Sequence, residues 1–258
     1  MKYSQRREIV LTMLDTSDTL SVQEIVAALG ASEATVRRDI ARMEQEGALV
    51  RSWGGVHRAD TPENERKRTL ETRRPGPEHL AMGRIAASYV RDGDTIYVGA
   101  GISTLAMIPY IVARNVHAVT NGIPQLEALN RAGIDTLLLC GFFKEYSRSL
   151  VGRETVEMLA RYRFDCAFMG AHGLSEDLDI LSGDAYEAEI KSLILVGSER
   201  SYLLLDHTKY DRAAFYSTSR EEARDAIVIT DHPGVTSPSW EAVGSGYVSR
   251  LGDIVRIE

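Results

Sequence analysis

The chain has 258 residues, 44% of them hydrophobic and 26% charged, ordinary globular proportions that exclude wholesale disorder and collagen-like or coiled-coil architectures. That length fits one large or two ordinary domains, and two is the expectation. The net charge of −7 argues at first against a nucleic-acid surface, but residues 1 to 58 carry eight basic and eight acidic groups, so the deficit belongs to the 22 basic and 29 acidic groups that follow. A neutral, arginine-bearing head on an acidic body suggests two jobs, although such an imbalance is also common in proteins with one.

Apolar runs such as Leu137 to Cys140 fall far short of the roughly 20 residues that span a bilayer. The amino terminus, MKYSQRREIV, places two arginines where a secretory signal needs an apolar stretch. The expected location is the cytoplasm. Cys140 and Cys166 lie in apolar runs and read as buried small hydrophobes. The six histidines show no ligand spacing, so neither a metal nor a cofactor is expected.

In chain order, residues 4 to 15 place Ile9, Val10, Met13 and Leu14 on one helical face and Arg6 and Arg7 on the other. Ser21-Val22-Gln23-Glu24 is a capping box that opens a short second helix ending at Gly30. Ser32 caps a third helix running to about Glu46, with Gly47 as its stop signal. This is helix-turn-helix spacing. On the third helix Val36, Ile40 and Met43 form the inward stripe, Arg38 and Arg42 point nearly opposite, and Thr35 and Arg37 flank. Such groups can reach base edges and phosphates in a major groove; a solvated cationic face is the ordinary alternative. Residues 48 to 57 then read as two extended pieces around a turn, a β-wing whose Arg51 and His57 could meet the DNA backbone, with Trp53 equally suited to packing.

The pattern SxxTVRRDIxxMExxGxLxRxWGGV, with the opening RR-x-I and VQEIV, resembles the DNA-binding domain of DeoR-type bacterial repressors over essentially all of residues 5 to 56. The resemblance implies a winged helix-turn-helix domain over residues 1 to 58, with Ser32, Thr35, Arg37, Arg38, Arg42, Arg51 and His57 toward operator DNA. Trp53 departs from it, standing where the family usually has histidine. Asp39 follows the arginines as in the family and fits a role in pairing or capping as well as one at DNA.

Residues 59 to 77, rich in mixed charge and carrying Pro62, Pro75 and Pro77, read as a linker with a short charged helix around Glu63 to Arg73. Beyond it helices alternate with short strands: helix Leu80 to Val90, strand Thr95 to Val98, helix Leu105 to Val112 with a break at Pro109, strand Val116 to Val119, helix Ile123 to Asn130 and strand Thr136 to Cys140. Helices Glu154 to Tyr162 and Ala185 to Val196 and strands Asp165 to Met169, Tyr202 to Leu205 and Ala226 to Ile229 follow. Residues 78 to 258 are therefore expected to form a larger α/β domain with a mainly parallel sheet.

In such sheets ligands bind beyond the carboxyl ends of strands. Gly99-Ala100-Gly101-Ile102-Ser103-Thr104 follows a strand and opens a helix, a place suited to phosphate, or only a tight turn with a capped helix. It lacks the third glycine of a dinucleotide fingerprint and the Gly-Lys-Ser/Thr of a triphosphate loop. Other strand ends supply Asn121, Lys144, His172, Asp206 and Lys209, while Glu187 and Lys191 share a helix face, as a surface ion pair also would.

The ordered series GxGxST, TNG, SxSLVG, FDxAFMGAHG, ExxxK and DHTKY resembles the sugar-phosphate sensing domain of the same family from about Leu80 to Phe215. It implies a fold similar to ribose-5-phosphate isomerase and glucosamine-6-phosphate deaminase, with Gly101, Ser103, Thr104, Asn121, Lys191, Asp206 and Lys209 toward a phosphorylated effector. Gly99 stands where the family often has Asp, and Gly141-Phe142 where it has paired glycines, which implies a more apolar rim.

Two functions compete. One is a transcriptional regulator, a repressor of a carbohydrate-utilisation operon that binds operator DNA as at least a dimer under control of a phosphorylated sugar. The other is a sugar-phosphate isomerase or amino-sugar-phosphate deaminase using Asp206, Glu187 or Asp184 as proton carrier with Lys191 or Lys209. The DNA-binding head weighs against an enzyme.

Overall fold

A computed structural model describes residues 1–16, 20–46, 48–52, 55–58, 75–145, 147–211 and 214–254. The chain divides into two compact units, Met1–Arg73 and Arg74–Glu258. The stop at Gly47, the wing tip at Trp53 and the linker helix around Glu63 to Arg73 lie outside the described residues.

The first unit is three helices and a two-stranded wing. Helices α1 (Tyr3–Thr16), α2 (Val22–Leu29) and α3 (Glu33–Gln45) precede the antiparallel strands β1 (Leu49–Ser52) and β2 (Gly55–Arg58). The capping box forms as read: Ser21 Oγ accepts from the Glu24 N–H at 3.2 Å, and the Ser21 N–H donates to Glu24 Oε2 at 2.7 Å. Gly30 closes α2 in the left-handed region, φ 58°, which costs a residue without Cβ little. Val10, Leu14, Ile25, Val36, Ile40, Met43 and Leu49 then close over one another as a single small core. Leu20 exchanges both backbone hydrogen bonds with Val56, at 2.9 and 2.8 Å, so the wing is stitched to the stretch before α2.

The second unit is a three-layer α/β structure. It opens with α4 (Pro77–Ala87), β3 (Thr95–Val98), α5 (Ile102–Met107), β4 (His117–Thr120), α6 (Ile123–Arg131) and β5 (Asp135–Leu138). A hairpin of β6 (Phe142–Lys144) and β7 (Ser149–Val151) leads to α7 (Arg153–Leu159), β8 (Phe164–Gly170), β9 (Gly173–Leu174), β10 (Ile180–Ser182), α8 (Ala185–Gly197) and β11 (Ser198–Leu204). β12 (Tyr216–Thr218), β13 (Ile227–Thr230), β14 (Glu241–Val243) and β15 (Gly246–Arg250) complete it.

The main sheet runs β14-β15-β13-β11-β8-β3-β4-β5, parallel from β13 to β5, with β14 and β15 antiparallel at one edge. Side chains alternate across it, as strand geometry requires. Ile96, Val98 and Phe168 meet Met82, Ile85 and Met107 on one face; Tyr97, Ala167 and Leu203 meet Leu159, Ile190 and Ile194 on the other. Gly83 allows α4 and α5 to touch, since a Cβ there would lie 2.7 Å from the Ala106 carbonyl oxygen.

Two expectations need correction. The helix expected over Leu105 to Val112 begins earlier, at Ile102, and ends at Met107; the break expected at Pro109 is present as a 3₁₀ turn, Ile108–Tyr110, because Pro109 has no N–H to continue the ladder. Cys140 is exposed rather than buried, whereas Cys166 is buried. The reason is topological: β5 is an edge strand, so the apolar run that ends at Cys140 has the sheet on one side only. The short pairings β6-β7, β12-β10-β9 and β14-β15 are strands beyond those expected.

Candidate functional site

The outward side of α3 sorts its cations. Ser32 caps the helix through Oγ, which accepts from the Thr35 N–H at 3.3 Å and lies 2.9 Å from Thr35 Oγ1. Arg37 pairs one turn back with Glu33 at 2.7 Å. Arg42 pairs with Glu46 at 3.0 Å and stacks on the Tyr3 ring at 4.0 Å. Glu46 also receives Tyr3 Oη and Arg7 Nε, at 2.9 and 3.1 Å, and these donors, Tyr3 foremost, hold its carboxyl below the usual value. Arg38 is exposed, and its Nε donates to the Ala34 carbonyl at 3.3 Å; among the described residues it has no ion pair. Asp39 points inward to Arg6. Arg51 and His57 lie on β1 and β2, with Val50 opposite His57 and Arg51 opposite Val56; their side chains are outside the described residues.

In the second unit the chain steps from β3 outward through β4 to β5, then returns to place β8 on the other side of β3. Adjacent loops therefore part between β3 and β8, the switch point where open α/β sheets bind ligands. Register sets Val98 beside Thr120 and Phe168, and Leu204 beside Gly170 and Ile229. The groups after β3, β4, β8, β11 and β13 thus emerge at one edge of the sheet.

The loop after β3 turns at Gly101, whose φ of 145° belongs to the region that favours glycine. The first N–H groups of α5, before the Leu105 N–H that donates to the Gly101 carbonyl, have no helical acceptor. Ser103 is buried and its hydroxyl makes no hydrogen bond among the described residues. Thr104 differs: its Oγ1 donates to the carbonyls of Gly99 at 2.6 Å and Gly101 at 3.0 Å, so its proton is spent on holding the loop. Gln125, unremarked in the sequence, does likewise, its Nε2 donating to the Gly101 carbonyl at 2.7 Å.

Asn121 is a clamp. Its Oδ1 accepts from the Ala100 N–H and from Tyr97 Oη, both at 3.0 Å, and its Nδ2 donates to the Leu150 carbonyl at 3.1 Å. Burial pushes the Tyr97 hydroxyl up, so it stays a donor. A Cβ at Gly99 would lie 3.2 Å from Tyr97 Cε1 and 3.4 Å from the Phe168 carbonyl oxygen, so a side chain there would press on Tyr97.

Leu150 sits on the β6-β7 hairpin, which carries Lys144 opposite Ser149. Lys144 Nζ reaches Asp184 and, at 2.7 Å, Glu187, at the start of α8. Burial raises the Asp184 carboxyl, but Lys144 and the Glu187 N–H outweigh it and the net shift is downward. Glu187 therefore pairs across to the hairpin, and Lys191 donates to Ser182 Oγ at 3.0 Å. Burial pulls the Lys191 ammonium down against the opposing pull of Glu187 and Asp184. Phe142, 72% exposed, lies beside Gly152.

Asp206 follows β11 and is buried. Its Oδ1 accepts from the Thr208 N–H at 2.9 Å and from Thr208 Oγ1. Burial pushes this carboxyl up, and Lys209, Thr208 and His79 together overcome that push and hold it low. The structure thus brings Ser103, Thr104 and Asn121 together around one loop, and places Asp206 and Lys209 after β11, two strands along the same edge with β8 between. Tyr97 and Gln125 were missed because each acts through a partner distant in sequence; His79 was missed as well, and Lys144, read only as a strand-end group, turns to Asp184 and Glu187.

Known proteins resemble both parts of the chain. A model of the DeoR-like helix-turn-helix domain matches residues 6–62, and one of the DeoR C terminal sensor domain matches residues 77–232. The lactose phosphotransferase system repressor of Lactococcus lactis subsp. lactis is 30% identical over 237 residues, 90% of this chain and 92% of its own. The HTH-type transcriptional regulator FruR of Bacillus subtilis (strain 168), itself uncharacterized, is 29% identical over 88% of this chain and 90% of its own. A ribose 5-phosphate isomerase A structure from Methanocaldococcus jannaschii aligns over 51% of this chain and 53% of its own, at 16% identity and a TM-score of 0.37. No helix among the described residues is long and apolar enough to cross a membrane.

Proposed function

Because the chain belongs to the DeoR family of transcriptional regulators and carries both the helix-turn-helix and the sensor domain, we propose that it represses a carbohydrate-utilisation operon and that a phosphorylated sugar bound after β3 alters its hold on the operator. The observation that carries the effector half is the loop Gly99 to Thr104: free helix-start N–H groups and the Ser103 hydroxyl at the switch point of the sheet. Lys209 and Lys191 supply cations for the sugar phosphate, with Asp206 for its hydroxyls. Thr104, Gln125 and Asn121 keep the loop in shape.

In the head, Arg38 reads bases, while Ser32, Thr35, Arg37 and Arg42 position the helix or meet phosphates with Arg51 and His57. One small head makes few base contacts, so the regulator acts as at least a dimer on paired half-sites. It works where the operator is, in the cytoplasm. An effector changes repression only by binding one domain arrangement better than another.

The enzyme reading is weaker. A general base works best with a pKa near the operating pH, yet Asp184 and Asp206 are both held low by neighbouring cations. A thermal-shift screen against phosphorylated sugars, followed by assay of any ligand for turnover, tests both readings. Stabilisation without turnover supports the sensor, and turnover of the ligand supports the enzyme.

A further inference from the structure

His79, the third residue of α4, is 3% exposed, and neither the DNA nor the loop reading uses it. Its Nδ1 accepts a hydrogen bond from the Gly76 N–H at 3.2 Å. The same Nδ1 lies 2.7 Å from Glu78 Oε1. These two contacts need opposite protonation states: a lone pair to accept from the amide, a proton to give to the carboxylate. On the other edge of the ring, Nε2 lies 3.7 Å from Asp206 Oδ2, within ion-pair reach and longer than a hydrogen bond.

The groups that face the ring are Glu78 from its own helix and Asp206 from the segment after β11, with Lys209 acting on Asp206. Beside them His207 is held by Asp231 at 2.6 Å and feels Asp206 and Glu78 as well. Carboxylates thus approach the imidazole from both edges, and Lys209 offsets one of them.

We propose that His79 couples the anion site to the start of the sensor unit. An anion taken by Lys209 frees the Asp206 carboxylate to close on Nε2, and the ring takes up a proton from solvent. Nδ1 then donates to Glu78, and the Gly76 N–H loses its acceptor. Gly76 stands two residues after Arg74, where the second unit begins, so the change arrives where the chain leads into that unit. The coupling rests on the reading that Lys209 faces the effector. By reciprocity, anion binding and proton uptake strengthen each other.

Amide exchange at Gly76, followed by NMR in the full chain, tests this with sulfate as the probe, since sulfate keeps its charge across the range used. Protection of Gly76 is expected to fall by about tenfold beyond intrinsic exchange as the pH is lowered from about 8 to about 5.5. Saturating sulfate at neutral pH is expected to lower it in the same direction. His79→Gln keeps an oxygen that can cap the Gly76 N–H and does not titrate, so its protection should ignore both pH and sulfate while sulfate still binds. Glu78→Gln removes the proton's destination and should hold the cap at low pH. Wild-type protection independent of pH, or equally dependent in His79→Gln, overturns the proposal. Sulfate that moves the Lys209 signal and leaves Gly76 unmoved overturns the coupling. Sulfate that does not move Lys209 at all overturns the effector reading beneath it.

Discussion

Arg6 grips Asp39 with two donors, Nε to Oδ2 at 2.6 Å and Nη2 to Oδ1 at 3.1 Å, tying α1 to the middle of α3. Asp39 is 7% exposed, so a residue on the same helix as the outward arginines serves the inside of the head. A forked, two-bond pair fixes direction as well as distance, and here it sets how α3 is presented.

Asp39→Ala is therefore expected to lower the unfolding temperature of the head and weaken operator binding together, because Arg6 is left without its acceptor. Arg6→Lys keeps the charge and loses the fork, and should fall between the two. Thermal melts beside DNA titrations check this; weakened binding with an unchanged melt would make Asp39 a DNA contact.

Arg38→Ala should do the opposite: leave the melt unchanged and weaken binding to a selected duplex by roughly 1 to 3 kcal/mol if the contact is to a base. Titrations at several salt concentrations and on altered duplexes read the effect. Equal binding by parent and variant would leave Arg38 a solvated side chain.

How much of this was legible depends on range in sequence. Ser21 with Glu24, Ser32 and Gly30 act within one turn of chain, and the helix boundaries they mark match those observed. The alternation of helix and strand likewise located the Gly99 to Thr104 loop and Asp206. What escaped was pairing at a distance: Asp39 with Arg6, Tyr97 with Asn121, Lys144 with Asp184, His79 with Asp206. No local pattern announces which of several acids a given cation will meet. Cys140 misled for the same reason, since an apolar run does not say whether its strand lies at a sheet's edge.

Asn121→Ala removes three hydrogen bonds and strands the Ala100 N–H and Tyr97 hydroxyl. A loss of about 2 to 4 kcal/mol in the sensor unit is expected, with ligand response lost alongside. Denaturant unfolding measures it; a loss of response at full stability would instead place Asn121 on the ligand.

Two groups give opposite pH signatures. The Asp206 carboxyl is held below its unfolded value, near 3.9, so its contribution is complete above that pH and disappears as pH falls through the folded value. His207 is shifted upward: burial opposes this, but Asp231 outweighs it. Its contribution is complete below about 6.5 and disappears as pH rises through the folded value. Asp206→Asn should flatten the acid limb of a stability profile, and His207→Asn the limb just above neutrality. An unchanged profile in either variant would remove that group from the account.

The central claim is that a phosphorylated ligand at the loop after β3 governs the head's grip on DNA. The most direct measurement titrates phosphorylated sugars against the full chain bound to a duplex it selects from a random pool, in the parent and in Ser103→Ala. At least one such sugar should shift operator affinity in the parent, and Ser103→Ala should keep the ligand-free affinity yet need about tenfold more ligand for the same shift. If no phosphorylated sugar shifts the parent, or if Ser103→Ala responds at the parent's concentration, the loop is only a turn with a capped helix.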